Sequence, residues 1–360
     1  MLKVDIERFI EEKAPLIDIA IEKYLPRKFV KESILFQVTP PAYSYNLETI
    51  DRAIADPIWD MLDRGGKRWR PALFLLICKA LGKEEDDYVD FAAISEVIHN
   101  GTLVIDDIED SSELRRGKPC TYKLFGLDIS VNVGNAMYYM PLLALMTKEV
   151  DLPAKVLCGV YEVYVQEMIN LSMGQAMDIA WHRGLANADN VSEEDYLQMC
   201  AYKTGTLARM AAKMAAVFTG VDKTLVDKLG RFAESIGVAF QMQDDILDLT
   251  GQEFAKKKGG GVGQDITEGK RTLMVIYTLK NATQVDKRRL IEILNMHTSD
   301  QTLRDEAIAL MQKYHAIEHT AQLAEKMVVE SWNEVNSLLP TLEAKEKLKA
   351  FAEFLIKRNM

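Results

Sequence analysis

Residues 106 to 119 read DDIEDSSELRRGKP, with four carboxylates inside five positions, a fifth at Glu113, and then Arg115, Arg116, Gly117, Lys118 and Pro119. Exposed ion pairs between such neighbours are worth only ~0–1 kcal/mol each, a weak reason for crowding them. Metal-held anion chemistry is a stronger one. If residues 90 to 110 form a helix, Asp106 and Asp110 stand four apart on one face, with Thr102 one turn below and His99 two turns below. Two carboxylates on one face repel unless a cation joins them. Magnesium takes oxygen ligands and keeps waters and phosphates in its shell, so it suits this spacing. The pattern recurs as Asp244, Asp245 and Asp248 in FQMQDDILDLTG. A second carboxylate platform facing the first would close a cage around a metal-bound diphosphate.

The same spacing occurs a third time, at Asp86, Asp87 and Asp90 in EDDYVDF. Those acids follow Gly82 at the start of a predicted helix, where they offset the macrodipole, and no basic segment comes after them. This copy is assigned a structural role. The copies at 106 and 244 differ in context, because each leads into a basic segment, RRGKP and KKKGGGVGQDITEGKR.

Helices must position these groups. Apolar residues recur at helical spacing along the chain, and no run alternates long enough to read as a strand. From Ala154 to Glu343 the only proline is Pro340. Interior proline costs a helix ~3 kcal/mol, so this tract can be helical throughout. Ser192 with Asp195, Gly220 and the glycines at 259, 260, 261 and 263 supply its start and stop signals. The loop VTPPAYSYN sets off an N-terminal helix pair. No linker or repeat marks a second domain, so the expectation is one all-α domain over residues 1–360, a bundle of about ten helices around a central cavity. Ile129 to Thr147 is uncharged, but Asn132, Gly134, Asn135 and Pro141 interrupt it, so a buried helix is expected in place of a membrane span. Cys78, Cys120, Cys158 and Cys200 are widely spaced, read as reduced and mostly buried, which suits the cytoplasm. The opening MLKVDIERFIEEK carries charges through its apolar positions and is no signal peptide. A formal charge of −10 speaks against nucleic acid as a partner.

Six blocks then carry a resemblance. GGKRWRP at 65–71, IHNGTLVIDDIEDSSELRRGKP at 98–119, MGQAMDI at 173–179, KTG at 203–205, FQMQDDILDLTG at 240–251 and GQDITEGKRTL at 263–273 occur in the order typical of trans-isoprenyl diphosphate synthases. The match runs from about residue 50 to 280. It implies the isoprenoid-synthase helical fold and a homodimer. The implied reaction is a magnesium-dependent, head-to-tail condensation of isopentenyl diphosphate with an allylic diphosphate.

In such enzymes Asp106, Asp110 and Asp244 resemble the principal ligands of three magnesium ions bridging to the allylic diphosphate. Asp107, Asp245 and Asp248 resemble water-mediated partners of those ions. Arg115, Lys203 and Lys270 add positive donors to the same leaving group, while Gly66, Lys67, Arg70, His99 and Arg116 would seat the isopentenyl diphosphate. The Thr204 hydroxyl, the Lys203 carbonyl and Gln241 would offer dipoles to an allylic cation, with Gln175 and Asp178 orienting the lysine and the metals. One departure stands out: the family usually carries Gly-Lys-x-x-Gly-x-Asp in its glycine-rich loop, whereas here Gly260 takes the lysine position and the loop is about two residues longer. Lys258 is expected to supply the missing charge.

Product length would be written below the first aspartates. Thr102 and Gly101 are too small to stop a growing chain where short-chain relatives place aromatics, so a product of about twenty carbons is expected, with a longer-chain or a farnesyl product as the alternatives. Tyr138 or Tyr139 in AMYYMP is either the tunnel floor or ordinary core packing. A terpene cyclase would carry Asn or Asp, Ser or Thr, and Glu at its second metal site, which QDDILDL lacks. A non-catalytic subunit would have lost an aspartate motif. Asp106→Asn and Asp244→Asn should each lower kcat by at least ~10³-fold, the scale of losing several kcal/mol of charge stabilisation. Asp87→Asn, assayed alongside, should leave turnover nearly unchanged.

Overall fold

A computed structural model describes residues 5–147, 152–251, 261–340 and 342–356. It is all-α. The helices, in chain order, are α1 (Ile6–Tyr24), α2 (Ile34–Val38), α3 (Leu47–Ile50), α4 (Asp56–Asp63), α5 (Trp69–Ala80) and α6 (Val89–Glu109). Next come α7 (Thr121–Phe125), α8 (Leu127–Tyr139), α9 (Leu143–Met146), α10 (Ala154–His182), α11 (Glu193–Lys203), α12 (Gly205–Thr219) and α13 (Lys223–Thr250). The last are α14 (Gln264–Thr267), α15 (Leu273–Asn281), α16 (Gln284–Asn295), α17 (Gln301–Lys313), α18 (Ala316–Val335) and α19 (Leu342–Ile356). Among the described residues the only strands are Leu114–Arg115 and Lys118–Pro119, an antiparallel hairpin directly after α6.

The local signals behave as their chemistry requires. Ser192 Oγ accepts from Asp195 N at 3.1 Å while Asp195 accepts from Ser192 N at 2.9 Å, the reciprocal box that starts α11. Gly220, at φ +77°, ends α12 in a conformation that a side chain would resist. The uncharged stretch from 129 to 147 is broken at Tyr139 into α8, a tight turn and α9. No helix among the described residues is long and apolar enough to cross a membrane. Cys78, Cys120 and Cys200 are buried and Cys158 is exposed, all four as free thiols.

The chain divides into two compact units. One comprises Met1–Val163, Met210–Val226 and Leu338–Phe351. Its α5 is buried from Trp69 through Cys78, apolar on almost every side as a central helix must be. Phe91 of α6 stacks on Phe218 of α12 with ring centroids 4.2 Å apart, and Phe74 of α5 meets the same ring edge-on at 6.0 Å. The third acidic copy belongs to this framework: Asp90 accepts from Lys23 Nζ at 2.8 Å and Tyr24 Oη at 2.6 Å, and Asp86 lies 3.6 Å from Lys13 Nζ. It ties α1 to the start of α6.

The other unit comprises Tyr164–Arg209, Asp227–Ser337 and Ala352–Met360. Its apolar centre joins Ile246 and Leu249 of α13, Ile266 of α14, Met274 of α15, Leu290 and Ile293 of α16, and Met311 of α17.

One helix crossing in the first unit rests on two glycines. A Cβ on Gly101 of α6 would lie 2.8 Å from Met137 Cβ, 3.2 Å from the Gly134 carbonyl oxygen and 3.3 Å from Tyr138 Cε1. A Cβ on Gly134 of α8 would fall 2.6 Å from Ile105 Cγ1. The two glycines therefore let α6 and α8 meet nearly backbone to backbone, which gives Gly101 a packing reason of its own. Gly101→Phe should lower unfolding stability by ~1–3 kcal/mol, the cost of overfilling a packed site. Urea titration would measure it, with Thr102→Phe as the milder companion.

Candidate active site

At the C-terminal turn of α6, Asp106 and Asp110 sit one turn apart, the Asp110 amide closing the helix on the Asp106 carbonyl at 2.9 Å. This turn carries no basic residue, and it is the negative end of the helix dipole. Asp107 points differently: it is 1% exposed and accepts from Arg115 Nε at 2.9 Å and Nη2 at 2.5 Å. Arg115 Nη2 is also 3.9 Å from Asp106. Burial and the charge of Asp107 push the Cys120 thiol up to about 12, so it stays protonated beside this pair. Arg64 donates to the carbonyls of Arg115 at 3.2 Å and Pro119 at 2.9 Å, pinning the hairpin from the other side.

The second hairpin arginine faces the first sequence block. Arg116, at φ 53°, donates to the Gly65 carbonyl and, at 3.4 Å, to Asn100 Oδ1. Gly66 has φ +148°, and a Cβ there would meet Arg68 Nη1 at 3.0 Å and Arg116 Nη2 at 3.1 Å, so only glycine lets the guanidiniums close in. Arg68 is itself held by Glu96 and Asp18, each at 2.9 Å, and Glu96 accepts from Asn100 Nδ2 at 3.0 Å. Arg70 is buried with its guanidinium 4.4 Å from the centre of the Trp69 ring, and Lys67 is exposed. His99 sits among them. Burial first, then the charges of Arg70, Arg116, Arg115 and Arg68, hold its imidazole well below the ordinary 6.5. Burial and the neighbouring cations likewise bring Arg116 down to about 10, against the pull of Glu96. Arginines packed closely enough to keep a neighbouring histidine neutral are a cluster that gains from an anion.

In the second unit the acidic motif is organised the same way. Asp244 is half-buried on α13, while Asp245 and Asp248 are buried. Asp245 accepts from Tyr196 Oη at 2.7 Å and Gln241 Nε2 at 2.8 Å, and Gln241 Oε1 accepts from Thr204 Oγ1 at 2.9 Å. Burial, reinforced by Asp265, raises the Asp245 carboxyl. Asp248 accepts from the Asp265 amide at 3.0 Å and, through its carbonyl, from Gly263 N at 2.8 Å, which fastens the loop leading to Lys270. Lys270 Nζ lies 2.5 Å from Glu268 and 3.7 Å from Asp265. Lys203 Nζ donates to Asp178 Oδ2 at 2.5 Å, and Gln175 lies half-buried one turn earlier on α10. Lys258 and Gly260 lie outside the described residues.

Near Gly101, Thr102 is half-buried and donates its hydroxyl to the His99 carbonyl at 2.7 Å. Of the two tyrosines on α8, Tyr138 turns toward Gly101, whereas Tyr139 is 66% exposed and does not pack in the core of its unit. Sequence reasoning passed over Asn100 and Tyr196, which bond the predicted residues Arg116 and Asp245, and Arg68 and Glu96, which brace that side of the site from behind. A glutamate in the apolar run FAAISEVIHN and an arginine inside GGKRWRP were the available signals for the latter two.

Magnesium fits these residues. Among the described residues no three or more His, Cys, Asp or Glu side chains gather into a closed metal cage. Magnesium asks for none, since it binds through one or two carboxylates with waters and substrate phosphates completing the shell. Asp106 and Asp110, at the unfavourable end of a helix dipole, are a donor pair that a divalent cation would relieve.

The neutral state of His99 has a pH signature. Below 6.5 the unfolded chain binds a proton at this residue that the folded chain refuses, so folding stability falls as pH drops. The slope from this one group approaches ~1.4 kcal/mol per pH unit. His99→Gln should therefore flatten the decline in unfolding stability between about pH 6.5 and 5, as read by urea titrations; parallel curves for the two proteins would refute it.

Comparison with known proteins agrees with this geometry. The family model described as Polyprenyl synthetase matches residues 51–311. A short chain isoprenyl diphosphate synthase from Methanothermobacter thermautotrophicus is 33% identical over 299 residues, covering 83% of this chain and 88% of the relative. A geranylgeranyl diphosphate synthase from Saccharolobus solfataricus is 30% identical over 317 residues, 87% of this chain and 92% of that one. The crystal structure of a geranylgeranyl pyrophosphate synthetase from Pyrococcus horikoshii aligns with a TM-score of 0.81 at 30% identity over 98% of both chains. The carboxylate motifs, the arginine cluster and these matches lead to one conclusion: the chain belongs to the polyprenyl synthetase family.

Proposed function

We propose that this protein condenses isopentenyl diphosphate head-to-tail with an allylic diphosphate and releases diphosphate, the main product having about twenty carbons, as the geranylgeranyl diphosphate synthases among its relatives suggest. The observation that carries this reading is the convergence of Arg68 and Arg116 on Gly66 beside buried Arg70 and His99, a concentration of positive charge that a diphosphate would balance. Lys67, Arg70, His99 and Arg116 seat the isopentenyl diphosphate, paired guanidiniums matching its phosphate oxygens. Asp106, Asp110 and Asp244 would hold magnesium, three ions in all, whose charge would make the allylic diphosphate a better leaving group. Arg115, Lys203 and Lys270 add their charges to that group. The allylic C–O bond breaks with its electron pair going to the diphosphate, the isopentenyl double bond attacks the allylic carbon, and a proton is lost to the departing diphosphate. The Thr204 hydroxyl, held by Gln241, and the Lys203 carbonyl face the cation with dipoles.

A homodimer is part of this proposal. Val165, Ile169 and Met173 recur every fourth residue on α10 and are exposed, as are Leu127 and Val131 on α8. Apolar stripes of this kind suit a second copy of the chain. Cytoplasmic residence is part of the proposal as well, and four free thiols suit it.

Purified protein given magnesium, isopentenyl diphosphate and primers of five, ten or fifteen carbons should release diphosphate only when both substrates are present. Products sized by chromatography should cluster near twenty carbons; a fifteen-carbon or a much longer limit would point to the farnesyl or polyprenyl alternative. Arg116→Ala should raise KM for isopentenyl diphosphate more than for the primer, and Arg115→Ala should do the reverse. Equal shifts in both constants would mean that the hairpin arginines do not divide the two diphosphates.

A further inference from the structure

We propose that Arg209 is a positioning residue that fixes the break between α11 and α12, and thereby the places of the Lys203 carbonyl and the Thr204 hydroxyl. The functional half of this inference rests on the prenyl transfer proposed above.

The break is abrupt. α11 stops at Lys203, Thr204 closes it with a bond from its amide to the Cys200 carbonyl at 2.9 Å, and α12 begins at Gly205. No proline stands there to cause it. Interrupted helices leave carbonyls without intrahelical partners, and a break persists only where something else holds it.

Two sets of contacts do so. The first is backbone proximity. A Cβ on Gly174 of α10 would stand 2.6 Å from the Tyr202 carbonyl carbon and 2.8 Å from Tyr202 Cβ, and one on Gly237 of α13 would stand 2.7 Å from Gly205 Cα and 3.2 Å from the Thr204 oxygen. The break is thus gripped between two helices that touch it at glycine. The second is charge. Arg209, one turn into α12 and 6% exposed, donates Nη1 back across the break to the Ala201 carbonyl at 3.2 Å. Its Nε donates to both oxygens of Glu167 on α10, at 2.9 and 2.8 Å, and Nη2 to Thr206 Oγ1 at 2.9 Å. Nη1 also meets Glu234 on α13. One guanidinium therefore ties α10, α11, α12 and α13 together at the point where the chain turns out of helix. Glu167 is fully buried and accepts from Asn170 Nδ2 as well, at 3.2 Å. The residues served are those on either side of the break: Lys203, bonded to Asp178, and Thr204, bonded to Gln241.

A merely structural ion pair would make a different prediction, because buried pairs can often be replaced by apolar residues of similar size with little loss. The test is the double variant Glu167→Gln/Arg209→Met, which removes the buried charges together and leaves the half-exposed Glu234 to water, with Arg209→Lys beside it. Misplacing reacting groups by about 1 Å costs up to ~10²-fold. The double variant should keep KM for both substrates while kcat falls toward that extent, and a larger share of allylic diphosphate should be diverted to the alcohol as water captures a poorly stabilised cation. Arg209→Lys, retaining charge but not the fork, should fall between. Amide hydrogen exchange at residues 204–207 should quicken in both. A folded double variant with wild-type kcat, alcohol share and exchange overturns the proposal. Should the wild type itself make no prenyl product, the proposed function fails, while the exchange rates still decide whether Arg209 holds the break. Should the double variant not fold, exchange and kcat in Arg209→Lys decide the matter.

Discussion

Negative charge at the negative end of a helix is the constraint on which the site is built. Asp106, Asp107 and Asp110 end α6 where the dipole already repels them, with no basic residue in the turn. The chain answers by folding straight into a hairpin whose Arg115 comes back onto Asp107. That return brings Arg116 against Gly65, and the need for two guanidiniums to flank one backbone makes Gly66 a glycine. Arg68, Glu96 and Asp18 then hold the opposite side. Anion-seeking and cation-seeking groups end up within a few residues of one another because each stabilises the other, as Arg115 does Asp107.

Both acidic motifs divide their labour in the same way. One carboxylate of each adjacent pair is buried and bonded inward, Asp107 to an arginine and Asp245 to a tyrosine and a glutamine. Asp248 does the same for the loop that ends in Lys270, through the Asp265 amide. These aspartates fix polar groups of the chain in place, while Asp106 and Asp244 stay partly open to solvent. Buried carboxylates that satisfy several donors are costly to disturb, which makes them good fixtures.

Much of this was legible beforehand because the signals were local. The capping pair Ser192 and Asp195, the stop at Gly220 and the proline-free tract after Ala154 fix helices without knowledge of the fold. The decoy at Asp86 to Asp90 could be set aside by context alone, and its bonds to Lys23 and Tyr24 supply the reason. What stayed hidden were partners distant in sequence. Glu96 meets Arg68 across 28 positions and Tyr196 meets Asp245 across 49, and neither spacing has a period to betray it. At Gly101 the sequence left a second reason for a small residue out of view, since the neighbour it admits, α8, declares itself only in the fold.

That crossing carries an evolutionary consequence. Gly101 and Gly134 each occupy the room that the other helix needs, so neither can enlarge alone. A larger residue at position 101 can then be accommodated only through paired changes in which Met137 or Tyr138 shrinks as position 101 grows. The lineage of this protein should show covariation between α6 and α8 at these sites, a coupled lock in sequence space in place of a single-position dial.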